Sequence, residues 1–481
     1  MRLVEAPAAH HSDHRETMRD PLRDPADQLQ NGHPHKWLIL ASVSTGLVLG
    51  VLDASVVNIA VPTLMRELPA SVAEVSWVLN AYNIVQAVLF LSIGRLAERY
   101  GQRLVFVISL ALFTLFSLGC GLATTVEQLI IMRVGQGVGA AGMVPVSLII
   151  LLAAFPRRQH GLATGLWGAM GTLAAIIGPP IGGLLIEYAS WNWIFFMNVP
   201  IGLLAIGTAI IVVPELRRDE GREGLDWPGI LLSAGALGCL ILAIVQGNSW
   251  GWGSPVIVSL LIAAFGLGGL FLLWEKRAAH PMLDLHLFRI RSFSAGSMMT
   301  TAGAVAMGGG MLMLVLFMVN ELGFTALQAA IGTIPMAAVS FVLSPFAGRL
   351  VDVFGPRHLA AAGTALFGLA FLLFAQLDAE ATLWSIGWRE VVLGLGMSLS
   401  MPTLTAAGLT SLPHQSAGVG SGTMSTARAF GSALGVALVL AVYETVHDYG
   451  WPFVVCAIIA LASLPLSFLL GRRLGDELPE R

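Results

Sequence analysis

A ten-residue stretch occurs twice in the chain. Residues 94–103 read GRLAERYGQR, and residues 348–357 read GRLVDVFGPR. Five of the ten positions are identical, and the fifth position is acidic in both copies, as Glu98 and Asp352. Each copy follows a long apolar run, so both are expected at the same end of a helix. The repeat therefore predicts a chain built from two related halves.

The composition of the 481 residues excludes a soluble protein. Hydrophobic residues make up 56% and charged residues 11%, whereas soluble domains carry about 25% charged residues. Such a chain cannot cover a water-exposed surface, which rules out a secreted enzyme, a nucleic-acid binder and a disordered scaffold. The net charge of −3 gives no sign of a polyanionic partner. The three cysteines are scattered through apolar runs, which fits neither a disulfide framework nor a metal site.

Fourteen apolar runs are long enough to cross a bilayer as helices, since about 20 residues span its hydrocarbon core. The predicted spans are residues 37–61, 73–97, 104–124, 127–152, 160–189, 193–213, 228–247, 254–274, 294–318, 326–347, 358–377, 384–410, 416–443 and 450–471. The predicted fold class is all-α and integral to the membrane, with fourteen transmembrane helices.

Lysine and arginine predict the orientation, because they accumulate on cytoplasmic segments. With the N-terminus inside, 22 of the 26 basic residues fall on inner segments. Both termini are therefore expected in the cytoplasm. The polar residues 1–36, which hold five histidines, are expected to form a disordered cytoplasmic tail, with metal binding by the histidines as the alternative.

The spacing of the repeat predicts how the spans divide. Between Gly94 and Gly348, six helices would need ~42 residues each, whereas eight need ~32, which is closer to a span with a short loop. Two additional central helices are therefore expected between two pseudo-symmetric six-helix bundles, with a substrate path between the halves. The predicted regions are a tail at 1–36, an N-terminal bundle at 37–214, a linker with two helices at 215–290, a C-terminal bundle at 291–475 and a tail at 476–481.

The repeated stretch resembles the loop after the second helix of the major facilitator superfamily, and fourteen spans are typical of its drug:proton antiporter branch. Further resemblances to that branch follow in order along the chain. They are Leu52-Asp53 with NIAVP at 58–62, Trp77 and Tyr82, RVGQG at 133–137, NVPIG at 198–202 and LHLFR at 285–289. The resemblance implies the major facilitator fold in a bacterial inner membrane and a monomer. It also implies transport driven by a proton gradient, with no cofactor and no metal.

Asp53 and Arg133 are the candidate proton-coupling residues. A carboxylate in the hydrocarbon is costly, so Asp53 is expected to face the protein interior or a cavity. Counted along the helices, Asp53 and Arg133 lie about 12 and 9 Å below the outer surface, so their depths match. The resemblance links this arginine to proton transfer. The alternatives are a structural ion pair for Asp53 and a packing or carbonyl-binding role for Arg133.

The fifth span matches the antiporter motif of that branch most closely. The matching residues are Gly165, Ala174, Gly178, Pro179, Gly182 and Gly183, and Ala174 stands where the pattern often has glycine. Glycine lets a neighbouring helix approach and proline bends a helix, so the resemblance implies a seal and pivot for alternating access. An ordinary kinked helix is the alternative.

The repeated stretch is the candidate conformational latch. Its residues are Gly94, Glu98, Arg99, Gly101, Arg103 and Asp352. The acidic residue of each copy is expected to pair with an arginine or a helix N-terminus in one state and to release it in the other. The alternative is that these residues only set topology. Gln102 stands where the family often has arginine, which weakens the expected latch.

Substrate-binding candidates are Arg428, Gln136, Tyr82 and Glu321. Arg428 lies mid-span, where it either binds substrate or holds backbone carbonyls. Glu321 and Glu390 are expected near the outer ends of their spans. The simpler interpretation of each is a solvated carboxylate, and the alternative is that it attracts cationic drugs.

The predicted function is export of lipophilic drugs or toxic compounds in exchange for protons, by alternating access. A narrow exporter of one metabolite or self-made antibiotic is the alternative. An ATP-driven pump is excluded, because neither lysine of the chain stands in a Gly-Lys-Ser/Thr phosphate-binding loop. Proton symport and a channel or receptor fit the motifs less well. No polar catalytic cluster is visible, so the chain is not expected to be an enzyme.

Overall fold

Long apolar stretches of the chain form helices in the computed structural model, which describes residues 32–68, 70–215, 226–278, 281–413 and 416–474. Fourteen helices in these ranges are long and apolar enough to cross a membrane. We number them α1 to α14 in order: Lys36–Glu67, Glu74–Tyr100, Gln102–Gly121, Val126–Ala154, Arg157–Tyr188, Trp193–Val212, Trp227–Trp250, Pro255–Glu275, Arg291–Glu321, Gln328–Phe354, Pro356–Phe374, Leu383–Thr410, Ala417–Val446 and Gly450–Leu469. The predicted all-α fold class with fourteen helices is confirmed. Residues 1–31 and 476–481, which hold most of the predicted N-terminal tail and all of the C-terminal tail, lie outside the described residues.

The repeated stretch lies mostly on helix, where a loop was expected. α2 continues to Tyr100 and α10 to Phe354, beyond the predicted ends at 97 and 347. The predicted spans stop where the charged residues begin, because the prediction followed apolar runs. In the structure the helical backbone continues through these charged residues. Each copy turns at a single glycine with positive φ, +105° at Gly101 and +80° at Gly355. Side chains other than glycine rarely adopt this conformation, which accounts for the second glycine of the motif.

The two sets of six helices pack in the same way. In the first set α4 packs on α2 and α3, and in the second set α12 packs on α10 and α11. Between the sets, α2 packs on α13 and α10 packs on α5. These two contacts are related by the repeat, and they hold the halves together. The predicted boundaries at 214 and 291 stay a prediction.

The halves meet closely at the end that carries Gly101 and Gly355, which we call the motif end. A side chain on Gly94 would collide with the carbonyl oxygen of Gly418, and one on Gly348 would collide with that of Gly161. Because glycine lets two helix backbones touch, the motif end is closed.

The additional helices α7 and α8 are central in the sequence and lie at one side of the bundle in space. α7 packs against α2 and α13, so it lies along the seam between the halves, and α8 packs against α7. Large apolar side chains on α8, such as Ile262 at 68% and Phe265 at 72% exposed, face outward. This is the pattern expected of a helix that meets lipid.

Candidate functional site

Asp53 on α1 and Arg133 on α4 form an ion pair inside the first half. Arg133 Nη1 donates to Asp53 Oδ2 at 2.5 Å, and the two side chains are 1% and 0% exposed. The matched depths along the two helices predicted this contact. A buried pair of opposite charges holds its two helices in register, because a shift that separates the charges would leave each one buried without a partner, which is costly.

Neutral donors complete the site around Asp53. Asp53 Oδ1 accepts hydrogen bonds from Gln136 Nε2 and from Asn198 Nδ2, each at 2.9 Å. Arg133 Nη1 also donates to Gln136 Oε1 at 2.7 Å, and Arg133 Nε donates to the carbonyl oxygen of Val78 at 3.0 Å. The site therefore joins α1, α2, α4 and α6. Gln136, expected to bind substrate, is fully buried in it.

Asn198 was not singled out as a functional residue. It lies in the NVPIG stretch, and its side chain also donates to Ser117 Oγ at 3.1 Å. Ser117 in turn donates to the carbonyl oxygen of Phe195 at 3.0 Å. An amide inside an apolar run was the available signal, because a buried amide needs polar partners.

Tyr82 forms one wall of the Asp53 site. The guanidinium carbon of Arg133 lies 4.1 Å from the centre of the Tyr82 ring, which is a cation–π contact. Tyr82 is 1% exposed, and its hydroxyl oxygen has no hydrogen-bond partner among the described residues. Gly137 lets α4 approach this turn of α2, because a side chain there would meet the carbonyl oxygen of Tyr82. Tyr82 therefore faces the ion pair rather than an open cavity.

The acidic residues of the repeat bind helix N-termini across the seam. Glu98 Oε1 accepts from the backbone N–H of Val419 at 2.8 Å, at the start of α13. Asp352 accepts from the N–H groups of Gly161 and Leu162, at 2.8 and 2.9 Å, near the start of α5. A carboxylate at a helix N-terminus interacts favourably with the helix dipole, by 0.3–1 kcal/mol or more when partly buried. Both contacts join the two halves at the motif end.

The arginines expected in the latch do not contact the acidic residues in this state. The guanidinium carbon of Arg99 lies 5.2 Å from the centre of the Tyr100 ring. Arg103 Nη1 donates to the carbonyl oxygen of Val213 at 3.4 Å. The ion-pair partner of Glu98 is Arg95, at 3.1 Å. Arg95 lies three residues before Glu98, so the two share one face of α2.

The glycine motif on α5 contacts both halves. A side chain on Gly165 would collide with the carbonyl oxygen of Ser344 on α10. Gly178 and Gly182 pack against Ser55 and Val56 on α1, close to Asp53. The remaining motif residues lie on the same helix. Ala174 is buried, Pro179 is partly buried, and a side chain on Gly183 would meet no atom within 4 Å. α5 thus connects the turn of α1 near Asp53 to the interface of the halves.

A cavity of about 630 Å³ lies between α2, α7 and α13, and Val144 of α4 also lines it. Its lining begins near the middle of these helices and extends away from the motif end. Arg428 lines this cavity, and its role in substrate binding stays a prediction. Glu321 is exposed at the end of α9 and is not among the lining residues. Gln136 and Tyr82 do not line it either.

Glu390 on α12 corrects a prediction. A solvated carboxylate was the simpler interpretation, yet Glu390 is 0% exposed, and neither of its carboxylate oxygens has a hydrogen-bond partner in the described chain. Its neighbour Arg389 donates to the carbonyl oxygens of Leu373 and Ser385, at 2.9 and 2.7 Å. Position relative to the end of a span did not reveal which face of the helix is buried.

Among the described residues, no cluster of three or more His, Cys, Asp and Glu side chains is arranged to hold a metal ion. Three of the five tail histidines, His10, His11 and His14, lie outside the described residues. His33 and His35 are described, with their ring centres 5.9 Å apart.

Comparisons with known proteins identify relatives that are membrane transporters, in agreement with the fourteen apolar helices. A family model described as Major Facilitator Superfamily matches residues 43–228 and 298–480. The tetracenomycin C resistance and export protein of Streptomyces glaucescens is 31% identical over 86% of this chain and 76% of that protein. The multidrug resistance protein Stp of Mycobacterium tuberculosis is 34% identical over 83% of this chain and 74% of that protein. The crystal structure of the human organic anion transporter MFSD10 has a TM-score of 0.69 and covers 90% of this chain and 100% of that chain, at 15% identity, a likeness of fold alone.

Proposed function

The chain belongs to the major facilitator superfamily, and we propose that it exports lipophilic small molecules across the bacterial inner membrane in exchange for protons. The single observation that carries this proposal is the buried Asp53–Arg133 pair with its neutral donors. An ionisable group that is buried in the membrane and reached by several helices is suited to proton coupling. The motif end and both termini would face the cytoplasm, and the protein would act as a monomer without a cofactor.

Proton binding at Asp53 would change the contacts of four helices. A proton on Asp53 removes the negative charge that Arg133 pairs with, and it replaces one acceptor site by a donor. The hydrogen bonds from Gln136 and Asn198 to the same carboxylate would weaken with it. α1, α4 and α6 would then be free to shift relative to one another, and α1 packs directly against α5.

The contacts at the motif end supply the second element of alternating access. Glu98 and Asp352 each bind the N-terminus of a helix in the other half. The state with both contacts present is closed on the cytoplasmic side, and its cavity extends toward the outside. Opening to the cytoplasm requires both contacts to break, so movement transmitted through α5 would couple proton binding at Asp53 to this opening.

A narrow substrate range is the second candidate. Among relatives of this chain are proteins named for a single antibiotic, such as the tetracenomycin C protein. The same coupling and the same latch would serve such an exporter, and the difference would lie in the range of molecules that the cavity accepts.

Everted membrane vesicles test the proposed function. An imposed interior-acid pH gradient should drive accumulation of a substrate, and a panel of lipophilic acids, neutral compounds and cations should be offered. We expect accumulation of at least one class, which an ionophore that collapses the gradient abolishes. Accumulation that persists after the collapse, or no accumulation of any class, would contradict proton-coupled export.

A further inference from the structure

The cavity carries a single kind of charge. Arg428 is the one charged residue among the described residues that line it. The polar residues around it are neutral amides and hydroxyls, among them Asn80, Asn83 and Gln86 on α2 and Asn248 on α7. No acidic side chain lines the cavity. Its field is therefore positive, because an arginine stays protonated under all ordinary conditions.

Arg428 has unused hydrogen-bonding capacity. A guanidinium group carries five N–H donors, and Arg428 makes one long contact, from Nη2 to Thr405 Oγ1 at 3.5 Å. Its Nε atom is buried and has no partner, and no carboxylate of the described chain lies within ion-pair distance of it. A cation at membrane depth is costly unless a partner compensates it.

Two other arginines in the same half, near the ends of helices, bind backbone carbonyl oxygens, which is a structural role. Arg389 donates to the backbone oxygens of Leu373 and Ser385, and Arg357 donates twice to the backbone oxygen of Leu470. Arg428 has no backbone acceptor in the described chain. The carbonyl-binding role that the sequence left open is therefore not the role that Arg428 has here.

The additional helix α7 supplies the apolar wall of the cavity. Ile241, Ile244 and Val245 face it across from α13, and Asn248 follows one turn later. The family model does not match residues 229–297, which hold most of α7. A molecule in the cavity would thus meet an apolar surface on α7 and a cation on α13. Ligand pockets of this kind orient an apolar body with a few polar groups.

We propose that this cavity binds organic anions, meaning lipophilic molecules with a carboxylate, a sulfonate or an ionised phenol. The negative group contacts Arg428, and the apolar body lies against α7. The fixed cation disfavours lipophilic cations of the same size, since like charges repel in a cavity of low polarity. This substrate class rests on the proposed function, because it takes the cavity to be the transport site.

A matched pair of dyes tests the substrate class. Sulforhodamine B is an anion, rhodamine 6G is a cation, and both contain the same xanthene ring system. Binding of each should be measured by calorimetry on the purified protein in lipid nanodiscs, with empty nanodiscs as the control for partition into lipid. We expect the anion to bind ~10-fold or more tightly than the cation, the difference typical of a charge-assisted hydrogen bond.

Two variants assign the preference to the guanidinium group. Arg428→Gln should weaken sulforhodamine B binding by ~10-fold and leave rhodamine 6G binding unchanged or stronger. Arg428→Lys keeps the charge and should retain most of the preference. A matched thermal stability of the two variants would show that both are folded. The proposal is overturned if neither dye binds, if the cation binds as tightly as the anion, or if Arg428→Gln leaves the ratio unchanged.

The binding measurement separates this inference from the proposed function. If the nanodisc protein binds the anion through Arg428 but vesicles accumulate no compound of the panel, proton-coupled export is wrong and the site assignment stands. If vesicles accumulate rhodamine 6G as well as sulforhodamine B in a proton-dependent manner, export stands and the anion site is wrong.

Discussion

α4 in the first half and α12 in the second half share the same helix packing and differ at one position, where α4 has an arginine and α12 has a glutamate. Gly137 packs on the Tyr82 carbonyl of α2, and Gly394 packs on the Met336 carbonyl of α10. Four residues before each of these glycines stand Arg133 and Glu390. The shared packing therefore places an arginine in one half where the other half has a glutamate.

The two positions differ in their partners. Arg133 bonds to Asp53, Gln136 and the Val78 carbonyl oxygen, while Glu390 has no hydrogen-bond partner among the described residues. α9, the counterpart of α1, carries no acidic residue before Glu321 at its end. The repeat thus preserves helix packing, since glycines set how closely backbones approach. The hydrogen-bonded network around the Asp53–Arg133 ion pair is present in the first half and has no counterpart among the described residues of the second half. Proton coupling is therefore expected in the first half.

Breaking the network should have the largest effect. Arg133→Met leaves Asp53 buried with no cation, which typically costs about 3–5 kcal/mol. We expect a loss of that size in the free energy of unfolding, measured by denaturant titration in mixed micelles. The double variant Arg133→Met/Asp53→Asn should recover part of the loss, because no unpaired charge remains. A double variant that adds the two losses would show that the ion pair does not join these helices.

The two latch contacts offer a second comparison between the halves. Asp352 accepts backbone hydrogen bonds and has no ion-pair partner among the described residues, whereas Glu98 accepts backbone hydrogen bonds and also pairs with Arg95. We expect Asp352→Asn to weaken closure of the motif end by about 1–2 kcal/mol, as the loss of charge at a helix N-terminus does. Glu98→Gln should weaken closure less, since Arg95 already offsets part of the charge that Glu98 presents to the N-terminus of α13.

Spin labels can measure that closure. Leu104 on α3 and Leu469 on α14 are both 45% exposed and lie at the motif end of the two halves. Spin labels on cysteines introduced at these two sites should show a larger population of long label-to-label distances in Asp352→Asn than in the protein that keeps Asp352. Identical distance distributions in both would contradict a latch role for Asp352.

The smallest effect is expected at Glu390. Glu390→Gln preserves the shape of the side chain, and the described chain offers no cation or hydrogen bond for it to lose. We expect the unfolding free energy to change by less than about 1 kcal/mol. A loss as large as that of Arg133→Met would contradict this expectation and would mean that the Glu390 carboxyl group has a stabilising partner.

Much of the fold could be predicted because helix length and apolarity are set by the bilayer. All fourteen spans were placed within several residues, and the Asp53–Arg133 contact followed from counting residues along two helices. Burial of Glu390 could not be predicted, because α12 is apolar on most faces and gives no periodic signal. The position of α7 beside the cavity could not be predicted either, since it depends on contacts with α2 and α13 that are distant in sequence. The role of Asn198 could not be predicted because its partners, Asp53 and Ser117, lie on other helices.

Counting protons that move with substrate in the unsubstituted protein, Asp53→Asn and Glu390→Gln tests the central claim most directly. Everted vesicles that contain each form should be given a transported substrate and a pH-sensitive dye. We expect substrate to trigger proton movement with Glu390→Gln as it does with the unsubstituted protein, and no movement with Asp53→Asn. Proton movement that survives Asp53→Asn and is lost with Glu390→Gln would place coupling in the other half and contradict this account.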